Sequence, residues 1–344
     1  MTITGHARRL AGGGTLRQAK IASLAIYVPP RVLTNADLEK IVETSDEWIL
    51  KRTGIRERHI AEPGVATSDL AKEAALSAIA QAGLSPKDIS FIVVATTTPD
   101  MLFPSTACLL QAKIGAVNAW GFDLGAACSG FTYALTTAAQ MVGSGSHDHA
   151  LVIGADVMSS IIDYQDRATC IIFGDGAGAA VVSPATDEGL GFVDFAHEID
   201  GTGGPALCMP AGGSLHPASH ETVEKRMHYV HQDGATVFKF AVRKTEEICE
   251  KVLTQNGIGA DAVDLFVCHQ ANRRIIESAA ARLGLDQKKI VINIERFGNT
   301  TAATIPLALS DAIAAGRLKK RHHVLLTSVG AGFTVGAVLL RWAY

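Results

Sequence analysis

Three short segments of this chain carry side chains suited to chemistry. The first, F-D-L-G-A-A-C-S-G-F (122 to 131), leads through small residues into Cys128 and then into an apolar stretch of helix formers. The pattern predicts strand, tight turn, cysteine, helix. A thiol at a helix start faces unpaired N–H groups and the positive end of the macrodipole, which lower its pKa, favour the thiolate and can receive an oxyanion. The same segment equally fits a small buried thiol, the ordinary state of a cysteine. The second segment, C-H-Q-A-N-R-R (268 to 274), puts His269 directly after the apolar strand Leu265 to Cys268. Carboxyl ends of strands are where α/β proteins place functional groups. The third, E-R-F-G-N-T-T (295 to 301), holds Asn299 after Gly298 and also reads as a plain turn. Together Cys128, His269 and Asn299 supply a nucleophile, a neutral imidazole and an amide donor, the equipment of a thiolate acyl-transfer site. A protease, an acyltransferase and a carbon–carbon condensing enzyme all remain open on these residues.

The elements that must position them come from a repeat. A-G-L-S-P-K-D-I-S-F-I-V-V-A (82 to 95) resembles N-G-I-G-A-D-A-V-D-L-F-V-C-H (256 to 269) at an offset of 174, and H-A-L-V-I-G (149 to 154) lies over H-V-L-L-T-S (323 to 328) at the same offset. Further on, G-D-G-A-G-A-A-V-V (174 to 182) resembles G-A-G-F-T-V-G-A-V-L-L (330 to 340), after an insertion in the first copy that holds Asp163 to Phe173. Each half alternates strands and helices, so the chain is predicted to be an α/β protein of two duplicated mixed-sheet halves, packed as a pseudo-dimer. Under the offset Cys128 falls on Ala302 and Asn299 on Gly125, so a pseudo-two-fold axis would bring the two polar loops to one site. Boundaries are expected at 1–18 for a flexible tail, 19–185 for the half with the cysteine and 186–344 for the half with the histidine and asparagine.

Local signals predict a strand at Ile21 to Val28, a helix at Thr34 to Ile49 with Trp48 near its far end, a helix capped by Thr67 or Ser68 running to Ala82, and a strand at Ile89 to Ala95. G-D-G-A-G (174 to 178) reads as a hairpin between Cys170 to Phe173 and Ala179 to Val182, not as a phosphate loop.

With 344 residues, 48% of them hydrophobic and 19% charged, the chain can bury a large core. A net charge of -3 makes no global case for nucleic acid or an anionic membrane. Six cysteines without C-x-x-C pairs or zinc spacing predict reduced thiols, a cytoplasmic setting and no metal. No apolar run reaches the ~18 residues of a membrane helix, and no secretory signal is expected.

G-A-A-C-S-G-F, H-Q-A-N-R-R, G-N-T, F-G-D-G-A-G-A-A and G-A-G-F-T-V-G, with S-D-E-W-I-L-K-R-T-G-I-R-E-R (45 to 58), resemble the motifs of the β-ketoacyl-acyl carrier protein synthase III family of thiolase-fold condensing enzymes. The likeness runs from about residue 20 to the C-terminus. It implies a layered α-β-α-β-α thiolase fold and a homodimer that uses no cofactor beyond its CoA thioester substrate. It also implies that Cys128 takes a short acyl group from acyl-CoA, and that His269 and Asn299 stabilise the enolate formed as malonyl-acyl carrier protein loses CO2. Elongating relatives carry a second histidine where Asn299 stands. The resemblance further assigns an oxyanion hole to the N–H groups of Cys128 and Ala331, where the family usually has glycine. CoA contacts fall on Thr44, Trp48, Arg52, Arg167, Asn272 and Arg274, with Trp48 and Arg167 as an adenine sandwich. The end of the acyl pocket falls on Phe103, reaching across from a second subunit, and carrier-protein docking on Lys239, Arg274 and Arg282. A family asparagine is Ala235 here, and a basic position beside Arg282 is Ala281. A secondary-metabolism relative that condenses other acyl groups, or an acyltransferase on the same scaffold, is the alternative. A non-catalytic partner subunit usually lacks the cysteine, and no protease signature surrounds Cys128.

Overall fold

The computed structural model describes residues 16–344. The strands β1 (Ala19–Tyr27), β2 (Phe91–Ala95), β3 (Trp120–Leu124), β4 (Ala150–Asp156) and β5 (Gly176–Pro184) form a five-stranded sheet in the order β1-β5-β4-β2-β3, with apolar, β-branched runs in β2 and β4 and an aromatic edge strand in β3. The four-stranded sheet is built from β6 (Gly191–Ile199), β7 (Leu265–Cys268), β8 (His323–Gly330) and β9 (Thr334–Arg341) in the order β6-β9-β8-β7. The repeat is therefore real in three dimensions. β2 pairs parallel with β4 as β7 does with β8, and β4 runs antiparallel to β5 as β8 does to β9. The central strands β2 and β4 are buried along their whole length, as parallel strands covered on both faces must be.

The main helices are α1 (Asp46–Thr53), α2 (Thr67–Gln81), α3 (Thr106–Ile114), α4 (Gly130–Gly143), α5 (Arg167–Cys170), α6 (Gly234–Gln255), α7 (Arg273–Arg282) and α8 (Thr304–Ala314). One apolar cluster joins Leu135 of α4 and Leu309 of α8 to Val93 and Val152 of the first sheet and to Val267 and Leu326 of the second. The two helices are thus sandwiched between the sheets. α2 and α3 cover the outer face of the first sheet, and α6 and α7 that of the second, which completes five layers of the thiolase type. The offset of 174 carries the start of α4, Gly130, onto the start of α8, Thr304. It also carries the turn Ala127–Ser129 onto the turn Thr301–Ala303.

Several local expectations are corrected. The helix read over 34–49 is two: one turn, Asn35–Leu38, capped by Thr34, and then α1, capped by Ser45. Trp48 consequently sits in the first turn of a helix. α2 is preceded by Ala66, while the Thr67 and Ser68 hydroxyls bond Thr98 O at 2.5 Å and Asp100 at 2.5 Å. No hairpin forms at G-D-G-A-G: residues 167–170 are helical, and β5 runs between β1 and β4 in the middle of its sheet. Most of the expected tail lies outside the described residues, but its end is tied down, with Arg17 N–H on Gly143 O at 2.8 Å and the Arg17 guanidinium on Asp148 at 2.7 Å.

Candidate active site

Cys128 stands in the turn that joins β3 to α4 and is 7% exposed. Ala127 before it takes a left-handed φ of +45°, uncommon for a residue with a Cβ. Burial overrules the lowered thiol pKa anticipated at this helix start. Cys128 is pushed up to about 12, first by burial and then by the Asp156 carboxylate, while a backbone N–H and the Asn299 side chain pull weakly the other way. Removing a thiolate from water outweighs one helix end. The resting group is a thiol whose proton must leave when it attacks.

His269 follows β7, with its N–H on Thr327 O at 2.8 Å, and burial lowers its pKa to about 3. The imidazole is therefore neutral. Its Nδ1 lies 2.6 Å from the Thr304 hydroxyl, and its Nε2 is buried without a hydrogen-bond partner. Thr304 has one hydroxyl proton and two neighbours able to accept it, His269 Nδ1 and Thr301 O at 3.1 Å. When the proton points to His269, Nε2 carries the ring hydrogen and is a free donor.

Asn299 is set by the backbone. Its N–H bonds Ile172 O at 2.9 Å and its carbonyl accepts from Gly174 N at 3.1 Å, so the second half's loop is bridged to Phe173 of the first. The N–H of Thr301 donates to Asn299 Oδ1 at 2.9 Å. An N–H needs the amide oxygen, so the orientation is fixed and the Nδ2 donors are left for the cavity.

That cavity, 710 Å³, is lined by the buried Cys128, His269 and Asn299 and, towards solvent, by Trp48, Arg52, Arg167, Lys239, Asn272 and Arg274. Chemistry and charge from both halves thus share one space. The guanidinium carbons of Arg52 and Arg167 lie 4.7 and 5.1 Å from the centre of the Trp48 ring. A ring between Trp48 and Arg167 needs two separations of about 3.5 Å, so an adenine there has to push Arg167 aside, off its contact with Glu43 O at 3.1 Å. Asn272 is largely occupied by structure: its Oδ1 caps α7 through Arg274 N at 2.9 Å, and its Nδ2 bonds Arg52 O at 2.9 Å. Thr44 and Ala331 do not line the cavity, whereas Gly330, next to Ala331, does. A Cβ on Gly330 would stand 2.8 Å from Cys128 N, so glycine keeps that amide open. Phe103 also lies off the cavity of its own chain and is 85% exposed. Arg282 is already paired with Glu246 at 2.5 Å.

Sequence reasoning missed Phe238, which lines the cavity beneath Arg274 at 5.3 Å, and the threonines that hold the polar groups. It also missed Asp156, fully buried at the end of β4. An acidic residue closing an apolar strand was the available signal.

Residues 122–201 match the family described as 3-Oxoacyl-[acyl-carrier-protein (ACP)] synthase III, and residues 253–342 match its C-terminal counterpart. Beta-ketoacyl-[acyl-carrier-protein] synthase III of Solibacter usitatus (strain Ellin6076) is 61% identical over 330 residues, which cover 95% of this chain and 99% of that protein. The protein of the same description from Koribacter versatilis (strain Ellin345) is 58% identical over 331 residues, 96% of this chain and 99% of the relative. The crystal structure of 3-oxoacyl-[acyl-carrier-protein] synthase III from Aquifex aeolicus VF5 superposes with a TM-score of 0.87 at 43% identity, covering 94% of this chain and 100% of that one. Identity at this level over nearly the full length of both partners places the chain in one family: it belongs to the β-ketoacyl-[acyl-carrier-protein] synthase III enzymes, condensing acyltransferases of the thiolase fold.

Proposed function

We propose that this enzyme initiates fatty acid synthesis by a Claisen condensation of a short acyl-CoA with malonyl-acyl carrier protein, with the two reaction stages divided between its two halves. The observation that carries the reading is the meeting of Cys128 from one half with His269 and Asn299 from the other on one cavity with a basic mouth. Cys128 attacks the acyl-CoA carbonyl, the Cys128 amide that Gly330 keeps open takes the oxyanion, and CoA leaves with the thiol proton. Malonyl-acyl carrier protein then enters and its C–C bond to the carboxylate breaks. His269 Nε2–H and Asn299 Nδ2 hydrogen-bond the enolate oxygen while CO2 departs, and the carbanion attacks the acyl-enzyme and expels the Cys128 thiolate, which takes a proton from water to restore the resting thiol. One such donor is typically worth ~3 kcal/mol of barrier. A neutral His269 suits this role, since it donates a hydrogen bond without giving up a proton.

Arg52, Arg167, Lys239 and Arg274 at the mouth fit an anionic substrate, phosphates of CoA or an acidic carrier protein. Incubation with acyl-CoAs is expected to add one acyl group at Cys128, read by intact mass, and Cys128→Ala to abolish it. Acylation of that variant at another residue would refute the assignment.

A homodimer in the cytoplasm is part of this reading. Its support is the open edge of β3, which ends the first sheet, together with exposed Met101, Leu102, Phe103 and Trp120. Phe103 then closes the partner's acyl pocket and favours acetyl and propionyl primers. Phe103→Thr is expected to shift kcat/KM from acetyl- towards octanoyl-CoA while the dimer persists; an unchanged chain-length profile would count against the gate.

A further inference from the structure

Asp156 lies outside the cavity lining, yet it is the most densely hydrogen-bonded side chain around the site. It is fully buried, and Oδ1 receives Thr97 N at 2.7 Å, Thr98 N at 3.2 Å and the hydroxyls of Thr96, Thr97 and Thr98 at 2.9 to 3.0 Å. Oδ2 receives the Thr301 hydroxyl and Ala302 N, the latter at 3.3 Å. Every contact is a donor, an environment suited to an acceptor-only carboxylate.

The duplication says what this anion is doing. The offset of 174 carries Asp156, the last residue of β4, onto Gly330, the last residue of β8. It carries Ala127 onto Thr301, and the two share left-handed φ angles of +45° and +49°. It carries Cys128 onto Ala302, whose amide Asp156 covers. Around Cys128 the corresponding place belongs to Gly330, where any Cβ would fall 2.8 Å from the Cys128 amide. One half therefore keeps its amide free, and the other fills it with a carboxylate of its own. That carboxylate also grips Thr301, whose N–H holds Asn299 Oδ1 and whose carbonyl lies 3.1 Å from the Thr304 hydroxyl against His269.

We propose that Asp156 is a built-in anion occupying the counterpart of the oxyanion site, and that through Thr301 it positions Asn299 for decarboxylation without touching substrate. The inference rests on the two-stage reading above. It makes Thr301 a positioning residue for the second stage only, and Asp156 one that acts there through Thr301 while its charge also bears on the Cys128 thiol.

The test separates the stages. Thr301→Val keeps the backbone N–H and the shape but loses the gripped hydroxyl, and Thr301→Ser retains that hydroxyl. Thr301→Val is expected to lower condensation kcat by about 10- to 100-fold, with KM for malonyl-acyl carrier protein and the rate of Cys128 acylation from acetyl-CoA each within about threefold of wild type. Thr301→Ser is expected to restore condensation. Asp156→Asn, which sets an NH2 group against donors, is expected to lower condensation more strongly, but it also removes a charge that raises the Cys128 thiol, so the separation of stages is read from the Thr301 pair. Equal loss of both stages in Thr301→Val, no loss of either, or no rescue by serine would overturn the proposal. A wild type that forms no acyl-Cys128 would instead refute the function on which it stands.

Discussion

Thr304 shows how much rests on one hydroxyl. Its one proton can go to Thr301 O at 3.1 Å or to His269 Nδ1 at 2.6 Å, and only the second choice makes Nε2 the donor that an enolate requires. Thr304→Val removes that control and is expected to slow malonyl decarboxylation by about 3- to 10-fold, the worth of one orienting hydrogen bond, while Thr304→Ser stays near wild type. The Cys128 thiol offers a second test at this scale. With its pKa raised to about 12 by burial first and Asp156 second, the thiolate fraction grows about tenfold per pH unit across the accessible range. Alkylation of Cys128 by iodoacetamide, followed by peptide mass, is expected to accelerate without a plateau to pH 10. A plateau near neutrality would show that the helix start outweighs desolvation. Cys128, His269 and Asn299 were legible as a set: singly they fit a buried thiol or a plain turn, and only together do they equip an acyl-transfer site. Thr304 was not, since a threonine at a helix start ordinarily reads as a cap.

Helices and loops set the electrostatics of the mouth. α7 begins with Arg273 and Arg274, cations at the helix end that favours anions. Arg273 is balanced by Glu277 at 2.8 Å, whereas Arg274 faces the cavity over Phe238. Lys239 on α6 lines the same mouth, and Arg282 at the far end of α7 is neutralised by Glu246. Arg274→Ala and Lys239→Ala are therefore expected to raise KM for malonyl-acyl carrier protein several-fold and to weaken its salt dependence. Arg282→Ala is expected to change KM less than twofold, and a larger effect from Arg282 than from Arg274 would reverse this ranking. The break between the turn Asn35–Leu38 and α1 was illegible for a related reason. Thr34 and Ser45 are each credible caps, and the choice between one long helix and two short ones is made by packing. Part of that packing is the fully buried Arg58, which bonds Leu33 O, Asn35 Oδ1 and Ile171 O and so ties this region to the chain after α5.

For the whole molecule, burial of neutral histidines predicts the response to acid. His269 is lowered to about 3 and His197 to about 4, in both cases chiefly by burial, from an ordinary value of 6.5. Below pH 6.5 the unfolded chain takes up protons that the native protein refuses, so stability is complete above that pH and falls towards pH 4. The slope is up to about 1.4 kcal/mol per pH unit for each histidine. Urea unfolding at pH 7, 6 and 5 is expected to show the decline, and His197→Gln to reduce its slope; a slope unchanged by that substitution would remove His197 from the account. The sequence by itself determined the duplication, the strand–turn–cysteine–helix order and the identity of the three polar groups, because repeats, turn chemistry and residue type are written in neighbouring residues. Tertiary structure alone decided the state of the Cys128 thiol, the direction of the Asn299 amide and the grip of Asp156 on Thr301. Desolvation exists only once both halves have closed, and the partners in that grip lie 145 residues apart along the chain.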